Sequence, residues 1–143
     1  MNDRPQALLL DTCALIYLAN DEPIADGAKG PIQAAATAGL LLVSPVTGWE
    51  IGLLCRPERR SPLRLRPDPR TWLAEAISGP GIRLAPFTAE IGLDSAFLPP
   101  PIHADPADRL LIATARTLAV PIVTRDRAII AYGAAGFVRV VPC

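Results

Sequence analysis

The stretch Ala7-Leu8-Leu9-Leu10-Asp11 is four apolar residues stopped by an acid. A short unbroken apolar run is what a strand buried on both faces needs, and such strands belong to parallel sheets. The run predicts a central strand whose carboxyl end carries Asp11. Ala14 to Leu18 follows as the start of a helix, with Asp11 or Thr12 placed to accept from its first amides.

The same alternation continues outward. Ile32 to Ala38 is alanine-rich and reads as a helix ended by Gly39, and Leu40 to Val43 reads as a second buried strand. Ser44-Pro45 supplies a cap and then a proline at the first helical position, opening a helix to about Cys55. On that helix Trp49 and Leu53 lie four apart and share a face. Arg56 to Arg70 holds six arginines and four prolines; Glu58 and Asp68 leave it at net +4, and it reads as an irregular loop. Trp72 to Ile77 is a short helix, Gly81 to Ala85 a third strand, and Thr88 to Phe97 a helix capped by Thr88. Pro99-Pro100-Pro101 forces an extended connection. Asp105-Pro106 opens a helix to about Leu118, and Ile122 to Thr124 is a fourth strand ending near Asp126. A short helix to Tyr132 and a strand over Val138 to Val141 complete the pattern. Strands alternating with helices predict an α/β fold with a central, mostly parallel sheet flanked by helices.

Length and composition narrow the function. The 143 residues, half of them hydrophobic, suit one domain over residues 1–143 with a real core. Fourteen basic and fourteen acidic side chains cancel, so overall charge points to no polyanionic partner. Lys29 is the only lysine, and the Gly27–Gly30 segment around it lacks the phosphate-loop pattern. Three unpaired-looking cysteines (Cys13, Cys55, Cys143) and one histidine, His103, argue against a disulfide framework and a structural zinc site. Polar residues through Gln6, and the break of the apolar run at Asp11, predict no signal peptide. With no apolar stretch near about 18 residues, a soluble cytoplasmic protein is expected.

Four acids occupy junctions between strand ends and helix starts: Asp11, Glu50, Asp108 and Asp126. In a parallel sheet those junctions converge, and ligands bind outside the carboxyl ends of the strands. Hard divalent cations such as Mg2+ and Mn2+ select oxygen ligands, and paired ions stabilise both the attacking and leaving oxygens of a phosphodiester. The competing reading is a set of helix caps at Asp11, Asp105 and Asp108, with Glu50 on a solvated surface.

Other residues are less informative. Trp49 and Trp72 are expected in the core, Cys13 in buried packing, and His103 in a structural role. The arginine-rich loop, with Arg59 and Arg60, reads either as an RNA-backbone contact or as a solvated segment.

Four blocks in order carry a family resemblance: Leu8-Leu9-Leu10-Asp11-Thr12, Ser44 to Gly52, His103 to Ala115, and Ile122-Val123-Thr124-Arg125-Asp126. They resemble the PIN-domain nucleases, specifically the toxins of VapBC-type toxin–antitoxin pairs, over nearly the whole chain. The resemblance implies a PIN-like three-layer fold, Mg2+ or Mn2+ dependence, RNA cleavage, inhibition by a cognate antitoxin, and frequent homodimerisation. Carried over residue by residue, its acidic positions fall on Asp11, Glu50, Asp108 and Asp126. Thr12 and Thr124 match the accompanying hydroxyls, and Asp105 falls in the same motif as a cap or supporting acid. The proline- and arginine-rich Arg56–Arg70 segment departs from the family's more regular helical stretch.

Two rivals stand beside this. A phosphatase or receiver domain would use Asp11 as nucleophile, but would want a lysine after a later strand and an acid where Cys13 stands. A non-catalytic binding domain of the same fold would be favoured by loss of an acid, and all four are present.

Overall fold

The computed structural model describes residues 4–102 and 105–143. In chain order the elements are β1 (Leu8–Leu10), α1 (Thr12–Ala19), α2 (Asp26–Thr37), β2 (Leu41–Val43), α3 (Val46–Leu54) and α4 (Pro69–Ile77). They continue with β3 (Ile82–Leu84), α5 (Ala89–Ala96), α6 (Pro106–Leu118), β4 (Ile122–Thr124), α7 (Arg127–Ala134) and β5 (Val140–Pro142). The five strands form one parallel sheet in the order β3-β2-β1-β4-β5.

β1 lies in the middle, and its three leucines are buried on both faces as the apolar run requires. Leu8 and Leu10 enter a core with Leu15 of α1, Ile32 of α2, Ile51 of α3 and Trp72 of α4. Leu9 enters a second core with Val46 of α3, Ile91 of α5, Leu111 and Ile112 of α6 and Ile129 of α7. The result is the expected three-layer fold, helices on either side of the sheet. Each fully buried leucine is worth roughly 1.5–3 kcal/mol over its exposed state.

Several local expectations needed correction. The second helix starts at Asp26, six residues before Ile32. Gly27, Gly30 and Pro31 obscure it in the sequence, but Ala28, Ile32 and Ala35 form its buried stripe. The loop ends at Asp68 because Asp68 caps α4, accepting from the Thr71 amide and hydroxyl, both at 2.8 Å, with Pro69 in the first turn. Trp72 is buried, but Trp49 is 51% exposed. α3 packs against α1, α4 and α6, and it buries Val46, Thr47 and Ile51, leaving Trp49 facing outward. Cys13 is exposed instead of packed in the core. His103 lies outside the described residues. No described helix is long and apolar enough to cross a membrane.

Candidate active site

The chain runs from β1 outward to β2 and β3, then returns to place β4 on the other side of β1. The strand order therefore reverses between β1 and β4, the kind of point where open α/β sheets form a crevice at their carboxyl ends. Asp11 follows β1 directly, and Thr124-Arg125-Asp126 carries β4 into α7. Glu50 on α3, and Asp105 and Asp108 at the start of α6, approach the same point.

A pocket of about 310 Å³ forms there, lined by Asp11, Thr12, Glu50, Asp105, Asp108 and Asp126, together with Cys13, Tyr17 and Arg125. All four acids expected from the sequence thus face one cavity. Among the described residues, Glu50, Asp105 and Asp108 each bring a carboxylate oxygen within 4.8 Å of the others. Asp105, given a lesser part by the sequence, stands among the leading ligand candidates. Thr124 is buried behind Asp11, and its hydroxyl donates to Asp11 Oδ2 at 2.5 Å. The Thr124 oxygen in turn accepts from the Asp126 amide at 3.0 Å. The Thr12 and Thr47 hydroxyls are hydrogen-bonded to each other at 3.2 Å, joining α1 to α3 beneath the acids. Arg59 and Arg60 are exposed and do not line the pocket.

The cap reading holds for Asp11 and Asp105, which are also site residues; Asp108 lies in the first turn of α6 and is not its cap, and Asp126, not read as a cap from the sequence, is one. Asp11 Oδ1 accepts from the Ala14 amide at 2.7 Å, Asp105 Oδ1 from the Asp108 amide at 3.1 Å, and Asp126 Oδ1 from the Ile129 amide at 3.0 Å. Each cap uses one carboxylate oxygen on a helix N-terminus and fixes the direction of the other. Three helix starts thereby aim three acids at one cavity.

Bringing these charges together out of water favours their protonated forms. Burial, then Asp105, Asp126, Glu50 and Asp11, push the Asp108 carboxyl up to about 7. Burial raises Asp11 as well, against the lowering effect of its Thr124 and Ala14 hydrogen bonds, with Glu50 and Asp126 adding to the rise. Burial, and then the charges of Asp11, Glu50 and Asp108, push the Cys13 thiol up to about 11, which disfavours its thiolate. A divalent cation would relieve this crowding, and an all-oxygen donor set fits a hard ion. Sequence reasoning passed over Tyr17 and Arg125 as pocket residues. Arg125 sits inside the quoted Thr124-Arg125-Asp126 block, whereas nothing in the pattern around Tyr17 marks it.

Comparison with known proteins agrees with this architecture. No curated protein sequence matches the chain significantly. Among solved structures, VapBC2 from Rickettsia felis bound to a promoter DNA fragment is similar at 14% identity and a TM-score of 0.64, over 95% of this chain and 98% of that one. DNA-bound VapBC from Salmonella typhimurium is similar at 14% identity and 0.63, over 96% and 98%. FitAcB from Neisseria gonorrhoeae is similar at 19% identity and 0.54, over 93% and 95%. At these identities the likeness is one of fold. A family model described as PIN domain matches residues 8–135, spanning every one of the pocket's acids, and the chain accordingly belongs to the PIN domain family.

Proposed function

We propose that the protein is a divalent-metal-dependent endoribonuclease acting in the cytoplasm as the toxin of a toxin–antitoxin pair. The observation that carries this reading is the convergence of five carboxylates on one pocket at the sheet's switch point in a PIN domain. Asp11, Glu50, Asp108 and Asp126, with Asp105, would hold Mg2+ or Mn2+. Such an ion supplies Lewis-acid polarisation of the phosphodiester and a nucleophilic water at neutral pH. The chain's own residues do the positioning. Thr124 orients Asp11 through its hydroxyl, and the caps at Asp11, Asp105 and Asp126 fix three carboxylates on helix starts. The aspartyl-phosphate alternative has less support. Lys29 pairs with Asp26 at 2.9 Å on the exposed start of α2 and does not line the pocket.

The partner follows from the same charge. An acid-lined pocket is suited to an arginine or lysine from an inhibitor, which would replace the cation and make charge-assisted hydrogen bonds. The similar VapBC and FitAB structures are of two-component assemblies, consistent with a cognate antitoxin here.

The test is RNA cleavage in Mg2+ or Mn2+ by Asp108→Asn and Asp126→Asn. Each should lose at least about a hundredfold in rate with unchanged circular dichroism, and the double variant should lose little more, because groups acting as a unit fail together. Wild-type rates in both variants would refute the assignment. Sequencing RNA 5′ ends after induction identifies the target. Co-expression with a cognate antitoxin, expected as a short protein from a neighbouring reading frame, should yield a complex and protect the cell.

A further inference from the structure

Three of the pocket's five acids are held by their own side chains, since Asp11, Asp105 and Asp126 each cap a helix through one carboxylate oxygen. Glu50 has no such tie. Among the described residues no hydrogen bond or ion pair holds its carboxylate. Where Glu50 stands therefore depends on where α3 stands. The start of α3 is closed locally: the Ser44 hydroxyl accepts from the Val46 amide at 3.1 Å, and the Ser44 carbonyl from the Thr47 amide at 2.9 Å. Against the rest of the molecule the helix packs through apolar side chains, Ile51 in one core and Val46 in the other. Apolar burial is non-directional and does not by itself fix the register of one helix on another.

Thr47 is the exception. It is 0% exposed, and its hydroxyl lies 3.2 Å from that of Thr12, itself 2% exposed. Among the described residues this is the one side-chain hydrogen bond between α1 and α3. A buried hydroxyl left without a partner is costly, so the two helices keep the register that brings the pair together. The placement gives leverage. Thr12 directly follows Asp11, and Thr47 stands three residues before Glu50, on adjoining parts of one helix face. The pair thus ties the backbone behind one acid to the backbone behind the other. Asp11 and Glu50 are near enough for the Glu50 charge to help raise the Asp11 carboxyl, and that repulsion acts to part α1 from α3. The hydroxyl pair opposes it.

We propose that Thr47 is a positioning residue: through Thr12 it sets the spacing of Glu50 from Asp11, and so the fit of the carboxylate cluster to a divalent cation. This rests on the nuclease reading above and adds to it a residue that touches neither metal nor RNA.

The experiment uses the full chain, with Mn2+ alone as the probe of the cluster and a randomised pool of single-stranded RNA as the probe of cutting. Mn2+ binding is read from the paramagnetic resonance signal of the free ion. Cleavage at saturating Mn2+ is split into kcat and KM. Thr47→Val keeps the shape and removes the hydroxyl. It should raise the Mn2+ Kd about tenfold, as loss of a supporting partner around a metal site does, and lower kcat by a similar factor with KM changed less than about twofold. Thr47→Ser keeps the hydroxyl and should bring Kd and kcat back to within about threefold of wild type. Ile32→Val, on α2 in the same core as Ile51, loses stability without touching the pair and should bind Mn2+ as wild type does. Thr12→Val/Thr47→Val leaves no hydroxyl of the pair unpartnered. It should recover the melting temperature lost in Thr47→Val but not the Mn2+ affinity, and it takes the place of Thr47→Val if that variant does not fold. Wild-type Mn2+ affinity in Thr47→Val, or in the double variant, overturns the proposal. So does a weakened affinity that Thr47→Ser fails to restore, or one that Ile32→Val shares, which would make Thr47 a stability residue only. A wild type that binds Mn2+ without cutting the pool refutes the nuclease reading alone, and the Mn2+ affinities of the variants then decide the role of Thr47. A wild type that binds no Mn2+ overturns both.

Discussion

At Asp11 the two carboxylate oxygens face different neighbours: one accepts from the first turn of α1, the other from the buried Thr124 hydroxyl. With the side chain only 6% exposed, the carboxyl is as much a structural element as a pocket wall. Asp108 is different, because its position is dominated by crowding. Its carboxyl titrates near 7 in the fold, chiefly from burial and then from four neighbouring acids, against about 3.9 in an unfolded chain. The folded state therefore binds this proton more tightly than the unfolded chain. The associated stability is fully present below about pH 4 and is lost as pH rises through about 7. The raised Asp11 carboxyl acts in the same sense. Metal-free protein should melt at a lower temperature at pH 8 than at pH 5.5. Mn2+ should restore stability by about 2.7 kcal/mol at a hundredfold excess over its dissociation constant, with more effect at the higher pH because metal and protons compete. Asp108→Asn should flatten the pH dependence and shrink the Mn2+ effect. Equal Mn2+ shifts in both proteins at both pH values would place the ions elsewhere.

Among the elements, the entry to β3 depends on one glycine. Gly81 has φ of 82°, and a Cβ there would lie 2.4 Å from the Ala36 carbonyl oxygen of α2. Left-handed backbone costs a side-chain-bearing residue about 1–2 kcal/mol, and the backbone clash adds to it. Gly81→Ala should lower the urea midpoint by the equivalent of more than about 2 kcal/mol; an unchanged midpoint would mean that the turn relaxes freely. The arginine-rich loop between α3 and α4 is anchored by buried Leu65 and by the Leu63 amide, which donates to the Leu54 carbonyl at 2.8 Å. Its arginines are all exposed. If Arg59 and Arg60 hold RNA, replacing both with alanine should flatten the salt dependence of binding by up to about 1.4 log–log units on a single strand. An identical slope would leave the loop a solvated segment.

For the molecule as a whole, the exposed apolar side chains bear on the homodimer that the family resemblance implies. On and beside α5, Leu93 is 61% exposed and Phe97 77% exposed. Phe97→Glu should lower the sedimentation mass toward that of one chain if this face is the contact. A dimer of undiminished strength would exclude the face, and a monomeric wild type would exclude the dimer.

The sequence by itself determined most of the architecture, because its signals are local. The apolar run of β1, the caps at Asp11, Thr88 and Asp105, and the proline after Asp105 each act within a turn or two of the chain. They place strand ends and helix starts, and in a parallel sheet that already gathers the four acids at one edge. Local signals failed where two of them conflicted, as at Gly27-Gly30-Pro31 within α2. They failed also where burial depends on which neighbours surround a helix, as for Trp49 on α3. Only the tertiary structure decided that caps and pocket acids are the same carboxylates, and that Asp105 groups with Glu50 and Asp108. The same holds for Arg125, which reaches Pro23 and Cys143 and stacks on Tyr17. These pairings join residues as far as 113 positions apart, as in the Thr124–Asp11 bond. No periodicity along the chain encodes them, because they exist only once the strand order has placed β4 beside β1.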